Sequence, residues 1–124
     1  MKQEYHHGNL RQELIEAGIQ MVSTEGIKKL SLRKLAASCG VSEAAPYSHF
    51  AGKEELMQAM QEHVTGQLMQ CLQNAVETTE DPDSPQAVLN MGKAYVLFFM
   101  KYPEYYTFLF MYQDRKVNLS LAES

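Results

Sequence analysis

The sequence predicts an all-α protein, and three observations support this prediction. Apolar residues recur every three or four positions through most of the 124 residues, which is the period of an amphipathic helix. Serine, asparagine, glycine and proline punctuate these segments where helices begin and end. No segment alternates apolar and polar residues as a half-buried strand does. Hydrophobic residues make up 45% and charged residues 21%, the balance of a globular protein.

The first two predicted helices are short and well delimited. The first spans Leu10–Gly26, and its closing glycine favours the left-handed conformation that ends many helices. Asn9 and Gln12 form a capping-box pattern at its start. Ser31 is the predicted cap of a second helix whose apolar stripe reaches Cys39.

A third helix of about two turns is predicted over Glu43–Phe50. Ser42 caps it, and Pro46 lies at the end of its first turn, where a proline removes at most one hydrogen bond. Ala51 and Gly52 break the chain after it. The second and third helices together occupy about twenty residues, the size of a helix-turn-helix, in which one helix braces the other in the major groove of DNA.

The second half of the chain is predicted to be helical and rich in aromatic residues. A long helix covers 53–76, and a polar segment with prolines follows at 78–85. The next helix extends through Phe99, and a shorter one extends from Pro103 to near Tyr112. Nine of the twelve aromatic residues lie between Tyr95 and Tyr112, where they form core, a subunit interface or a ligand cavity. The residues alone favour core.

Charge is distributed unevenly along the chain, whose net charge is −4. Between Lys28 and Lys53 there are five basic residues and one acid, whereas after Met57 there are four basic residues and eight acids. A basic patch is therefore joined to an acidic second half. Such a patch suits nucleic acid, although an ordinary solvated helix face explains the charges equally well.

Several other function classes are disfavoured. The sequence has no Ser/His/Asp order, metal-ligand spacing, phosphate loop or carboxylate pair, so we expect no enzyme, no metal and no cofactor. Cys39 and Cys71 lack ligand spacing and are interpreted as small core residues. No apolar run reaches the ~20 residues of a membrane span, and no signal peptide is evident, so the predicted location is cytoplasmic.

Three blocks carry a family resemblance: Leu32–Ser42, Tyr47–Phe50 and Gly52–Leu56. In this order and spacing they resemble the N-terminal domain of tetracycline-repressor-type (TetR) transcriptional regulators, over about residues 8–60. The resemblance implies a three-helix DNA-binding head at residues 1–52. It also implies a helical effector-binding and dimerisation body at residues 53–124, which we expect to be incomplete because members continue for several more helices. Double-stranded operator DNA and a second copy of the chain are the implied partners, with no membrane association.

The resemblance also implies the residues that contact DNA. Arg33 would reach a guanine edge, while Tyr47, His49 and Lys53 would bind phosphates. Four residues would face the groove, namely Glu43, Ala44, Ala45 and Ser48. The complete predicted DNA-binding set is Ser31, Arg33, Ser42, Glu43, Ala44, Ala45, Tyr47, Ser48, His49 and Lys53.

Other roles remain open for some of these residues. Glu43 either accepts from a cytosine amine or stabilises the positive end of a helix, and the second is favoured. Tyr47 is alternatively a core aromatic, as Phe50 is expected to be, and His49 is alternatively a surface histidine without a ligand.

The sequence therefore predicts a sequence-specific DNA-binding regulator, specifically a repressor relieved by a small apolar or aromatic effector. The predicted effector-binding residues are Met60, Tyr95, Phe98, Phe99, Tyr106 and Phe110. The alternative is a helical protein-interaction module with an aromatic docking surface and no operator binding.

Overall fold

The computed structural model describes residues 7–111, in which every regular element is a helix and no strand occurs. The α-helices of this range are α1 Leu10–Glu25, α2 Leu32–Cys39, α3 Lys53–Glu77, α4 Pro85–Lys101 and α5 Pro103–Tyr106. Short 3-10 segments lie at His7–Asn9, Ile27–Lys29 and Ala45–Ser48, and a π-helical segment, Thr107–Met111, continues α5. The predicted all-α fold is confirmed. The predicted helix end near Tyr112 lies outside the described residues.

The ends of α2 follow the local sequence. The Ser31 hydroxyl accepts the N–H of Lys34 at 3.0 Å, which confirms Ser31 as the N-cap. At the other end Gly40 adopts a left-handed conformation (φ 72°, ψ 30°). The N–H of Val41 donates to the carbonyl of Ala36 at 3.0 Å, the six-to-one bond of a Schellman motif. Serine and glycine therefore limit α2 to eight residues.

The ends of α1 differ from the prediction. Asn9 is the N-cap residue, but its side chain makes no capping hydrogen bond, so the capping box is wrong. The Gln12 amide instead lies 3.4 Å from the ring nitrogens of His63 in α3. Gly26 has the expected positive φ of 93°, but its ψ of 160° is extended rather than left-handed helical. Its N–H still closes α1 by donating to the carbonyl of Val22 at 2.9 Å.

The predicted third helix, Glu43–Phe50, is shorter than expected. Only Ala45–Ser48 is helical, and it is a 3-10 segment. Pro46 has no N–H, so it cannot donate to the carbonyl of Ser42, which is the first hydrogen bond of an α-helix capped by Ser42. Three of the bonds that form span three residues, including His49 N–H to the Pro46 carbonyl at 2.9 Å, and only Phe50 N–H reaches four residues back, to the same carbonyl at 3.0 Å. We call this segment with its flanks, residues 42–50, the recognition segment.

The first half of α3 completes the core of the head. Its buried residues Leu56, Met60 and Val64 join Leu14 of α1 and Leu35 of α2 in one hydrophobic cluster. This cluster continues to Phe98 and Phe108 without interruption. Helix α3 begins at the predicted boundary, residue 53, yet packs into the head. Head and body consequently share a core, and their division at residue 52 stays a prediction.

A polar network joins the body back to α1. The Tyr105 hydroxyl of α5 donates to Glu16 of α1 at 2.8 Å, and Nε2 of His63 lies 2.7 Å from the same carboxylate oxygen. The Tyr105 hydroxyl and His63 Nε2 are 3.2 Å apart. Burial and the neighbouring Glu16 carboxylate raise the pKa of Tyr105, so its hydroxyl keeps the proton that it donates. Three helices thus meet at one carboxylate.

The two cysteines lie against the hydrophobic core and are not bridged to each other. Cys39, the last residue of α2, and Cys71 in α3 are both half-buried free thiols. The Cys71 sulfur lies 3.8 Å from the carbonyl of Ala94, at the contact of α3 with α4. Within residues 7–111, no helix combines the length and apolar character that crossing a membrane requires.

We predict that Tyr105→Phe destabilises the fold. It removes a buried hydroxyl bonded to a carboxylate while keeping the ring, which should lower the free energy of unfolding by about 1–2 kcal/mol at neutral pH. Urea denaturation monitored by circular dichroism measures this difference. The matched control is Tyr106→Phe, an exposed neighbour that should change stability by less than about 0.5 kcal/mol. Equal effects of the two variants would contradict a structural role for the network.

The same pair gives a pH dependence. Because the pKa of Tyr105 is raised in the folded state, its contribution is present below the ordinary tyrosine pKa of about 10 and is lost as pH rises further. The stability difference between the parent chain and Tyr105→Phe should therefore shrink above about pH 10.

Candidate nucleic-acid interface

The candidate interface is built on α2 and the recognition segment, which are held by buried side chains beneath them. Leu35 of α2 and Phe50 at the end of the recognition segment belong to the head core, and Pro46 is also buried. The guanidinium of Arg11 lies 5.2 Å from the centre of the Phe50 ring and covers it from α1. These contacts fix the backbone from which the interface side chains project.

The predicted DNA-binding residues share one property, which is that none of them is buried. Eight of the ten are exposed, and the remaining two, Ser31 and Ala45, are half-buried. Ser31 is occupied as the α2 cap, and the Ser48 hydroxyl donates to the Ala45 carbonyl at 2.9 Å. The other side chains are available to a partner because the fold does not require them in its core.

Tyr47 and Phe50 are separated clearly by burial. Tyr47 is 56% exposed, whereas Phe50 is 2% exposed. The core alternative for Tyr47 is therefore wrong, and the expected core role of Phe50 is confirmed. His49 is exposed, with its ring centre 6.4 Å from that of Phe50.

Arg33 and Glu43 form an ion pair across the helix-turn-helix. Nε of Arg33 donates to Oε2 of Glu43 at 3.2 Å, and the side chains are 80% and 72% exposed. The pair connects α2 to the recognition segment. Beside it, between α2 and the recognition segment, lies a concave surface that encloses a volume of about 800 Å³. The two roles weighed for Glu43 did not include a partnership with Arg33, ten residues earlier.

Three residues of this concave surface were not among the predicted contacts. They are Lys34, Ala37 and Val41. The sequence could have indicated Ala37, since it lies four residues after Arg33 and therefore shares one face of α2 with it. Lys34 also lies 3.9 Å from Glu25 at the end of α1, an exposed pair that contributes little stability.

Lys53 is the first residue of α3 and is exposed at its N-terminus. The positive end of the helix and the lysine both favour a phosphate there. Glu54 and Glu55 follow in the first turn, but the Glu55 carboxylate accepts the N–H of Ala51 at 2.9 Å. That bond stabilises the turn between the recognition segment and α3.

The predicted effector residues do not all come together. Four form a cluster of ring contacts, with Phe99 at its centre; its ring centre is 5.2 Å from that of Tyr95 and 5.8 Å from those of Tyr106 and Phe110. Phe98 is buried and contacts Phe99 at 5.1 Å between ring centres. Met60 does not belong to this aromatic cluster, because it packs against α1 in the head core.

Another apolar surface of the body was not anticipated. It is a shallow groove of about 600 Å³ along α4, lined by Val88, Leu89, Gly92, Lys93, Val96 and Leu97. Its four large aliphatic side chains are each at least 56% exposed. The helical period that marked this segment did not distinguish a buried from an exposed apolar face.

Comparison with known proteins finds sequence similarity that is concentrated in the head. Residues 14–60 match a family model described as bacterial regulatory proteins, tetR family. A nicotine-responsive transcriptional repressor of helix-turn-helix type, HdnoR from Paenarthrobacter nicotinovorans, is 37% identical over 71 residues, which are 57% of this chain and 37% of that protein. The nucleoid occlusion factor SlmA from Vibrio campbellii is 36% identical over 74 residues, 59% of this chain and 38% of that protein.

A solved structure shares the fold over most of the chain. A TetR family transcription regulator from Marinobacter aquaeolei VT8 superposes with a TM-score of 0.79, covering 94% of this chain and 61% of that one at 19% identity. The two curated matches cover less than two fifths of each relative's length. Sequence similarity therefore supports the helix-turn-helix prediction for the head, and structural similarity supports the arrangement of helices over most of the chain.

We predict stability effects of very different size for the two aromatic residues of the recognition segment. Phe50→Ala should lower the free energy of unfolding by about 3–5 kcal/mol, because it leaves a cavity in the head core. Tyr47→Ala should change it by less than about 0.5 kcal/mol, because that ring is exposed. Chemical denaturation measures both free energies of unfolding. A large loss of stability in Tyr47→Ala would contradict the exposed position of Tyr47.

Proposed function

We propose, from the match of residues 14–60 to the model of the tetR family of bacterial regulatory proteins, that this chain is a sequence-specific DNA-binding repressor that responds to a small molecule. One observation carries the DNA-binding part of this proposal. The helix-turn-helix presents exposed polar and basic side chains over a buried apolar base, so its outer surface is free to meet a partner. We propose that the chain acts by binding rather than by catalysis.

The proposed contacts divide into base reading and phosphate binding. The Arg33 guanidinium has the donor geometry that pairs with O6 and N7 of guanine in the major groove. Ala44 and Ala45 are small enough for the backbone to approach the groove closely and contact thymine methyls. Tyr47, His49 and Lys53 would bind phosphates, which fixes the position of the head without reading sequence. The exposure of Tyr47, His49 and Lys53 supports this division.

We further propose that the functional unit is a homodimer in the cytoplasm. The recognition segment has only four helical residues, so one head contacts few base pairs. Two heads related by a twofold axis would read two half-sites about one DNA turn apart, which multiplies both affinity and specificity.

The effector part of the proposal rests on the body. The aromatic cluster around Phe99 suits a small apolar or aromatic molecule, and one relative of the head is a nicotine-responsive repressor. The network of Glu16, His63 and Tyr105 gives the body a direct contact with α1 of the head. A ligand that favours one arrangement of the body would thereby shift the population of head positions.

A protein-interaction module is the second candidate, and the exposed aliphatic groove on α4 favours it. The two functions differ in their response to salt. Binding through several phosphates weakens steeply as salt rises, because counterions must be displaced. Docking of an apolar helix in the groove would not weaken in this way.

We predict that Lys53→Gln weakens binding to every duplex equally. Loss of one phosphate contact should reduce affinity roughly five- to tenfold at about 0.1 M salt and lower the slope of log affinity against log salt by about one. Fluorescence anisotropy with a duplex pool of randomised core sequence measures both quantities. Lys101→Gln is the matched control, since Lys101 lies at the far end of α4 and contacts Tyr102.

Arg33→Ala should instead change sequence preference. Selection of duplexes from the same randomised pool should lose enrichment of a guanine at one position per half-site, while affinity for unselected duplexes changes less. Salt-independent binding by the parent chain, or no effect of either substitution, would refute the proposed function.

A further inference from the structure

Glu43 is an unexpected residue to find on a surface that faces DNA. Its carboxylate is 72% exposed and lies beside the concave surface between α2 and the recognition segment. DNA carries one negative charge per ~1.7 Å of helix axis, so an unpaired carboxylate there opposes binding to any duplex. The favoured helix-end role for Glu43 is weak, because the N-cap residue is Ala44 and the segment that follows has only four residues.

The contact that Glu43 makes is specific in its geometry. Its Oε2 accepts from Nε of Arg33 at 3.2 Å. A guanidinium that reads guanine uses two parallel N–H groups toward O6 and N7. Engagement at Nε leaves both terminal amino groups of Arg33 for that role. Glu43 therefore holds the guanidinium through Nε and does not compete with guanine for the two terminal amino groups.

Holding Arg33 matters because its side chain is long and exposed. An arginine 80% exposed loses much of its rotamer freedom when it binds a base, and this loss opposes binding. A partner that restricts the side chain before DNA arrives reduces that loss. Glu43 lies on the recognition segment and Arg33 on α2, so the pair also ties the orientation of the fork to both elements.

We propose that Glu43 is a specificity-determining positioning residue that holds Arg33 for guanine and disfavours other bases. When the fork binds guanine, the Glu43 charge is balanced by Arg33. At another base Arg33 is drawn toward a phosphate, and the carboxylate is left unpaired near the polyanion. Glu43 thus improves discrimination and lowers affinity for non-cognate DNA. This inference rests on the proposed DNA-binding function.

The test is selection from a duplex pool with a randomised core, using the full chain. In Glu43→Ala the enrichment of the guanine that depends on Arg33 should fall about tenfold, while affinity for the unselected pool rises a few fold. Glu43→Gln should keep part of the guanine enrichment, because an amide oxygen still accepts from Nε, while its pool affinity rises as in Glu43→Ala. Both residues are exposed, so these variants should unfold like the parent chain.

Two controls separate positioning from a general charge effect. Glu25→Gln removes an α1 carboxylate paired with Lys34, the neighbour of Arg33 in α2, and should leave the guanine enrichment unchanged. In an Arg33→Ala background, Glu43→Ala should not change base preference further. Unchanged guanine enrichment in Glu43→Ala, or an equal loss in Glu25→Gln, would overturn the inference while leaving the proposed function intact. If the parent chain enriches no sequence, the proposed function itself fails.

Discussion

The packing of α1 against α2 and α3 in the head core, closest at Gly18, is the interaction on which the rest of the structure depends. A Cβ atom at Gly18 would lie 2.8 Å from the sulfur of Met60 and 3.6 Å from Leu35. Three helices of the head therefore meet where α1 has no side chain. Because α3 is 25 residues long and α4 packs along it, the same contact positions the head and the start of the body.

This arrangement makes head and body mechanically continuous. The hydrophobic cluster extends from Leu14 in α1 to Phe108 beyond α5, and the carboxylate of Glu16 binds both His63 and Tyr105 at its polar edge. A packed interior responds to a displaced element by shifting its neighbours, because it has few voids to absorb the change. A change at the aromatic cluster thus has a short path to α1, and α1 covers Phe50 through Arg11.

The sequence was most informative where structure is decided locally. Ser31 and Gly40 delimit α2 as predicted, because a cap and a left-handed turn depend on residues a few positions apart. Prediction failed where distant partners compete for a side chain. Gln12 turns to His63, 51 residues away, instead of capping α1. The partnership of Glu43 with Arg33 was missed for the same reason, since helix periodicity says nothing about contacts across a turn.

Residues that stabilise the helix-turn-helix and residues proposed to bind DNA are separate, so the buried base of the candidate site was easier to predict than the contacts on its surface. The residues that fold the helix-turn-helix, such as Leu35 and Phe50, point inward, and their apolar spacing is visible in the sequence. The outward residues contribute little to folding, so under the proposed function their identities depend on the DNA that they bind. Arg33 and Glu43 then stand out physically, because an exposed ion pair adds almost nothing to stability and its geometry suits base reading. The proposed role in base reading therefore accounts for this pair better than a contribution to folding does.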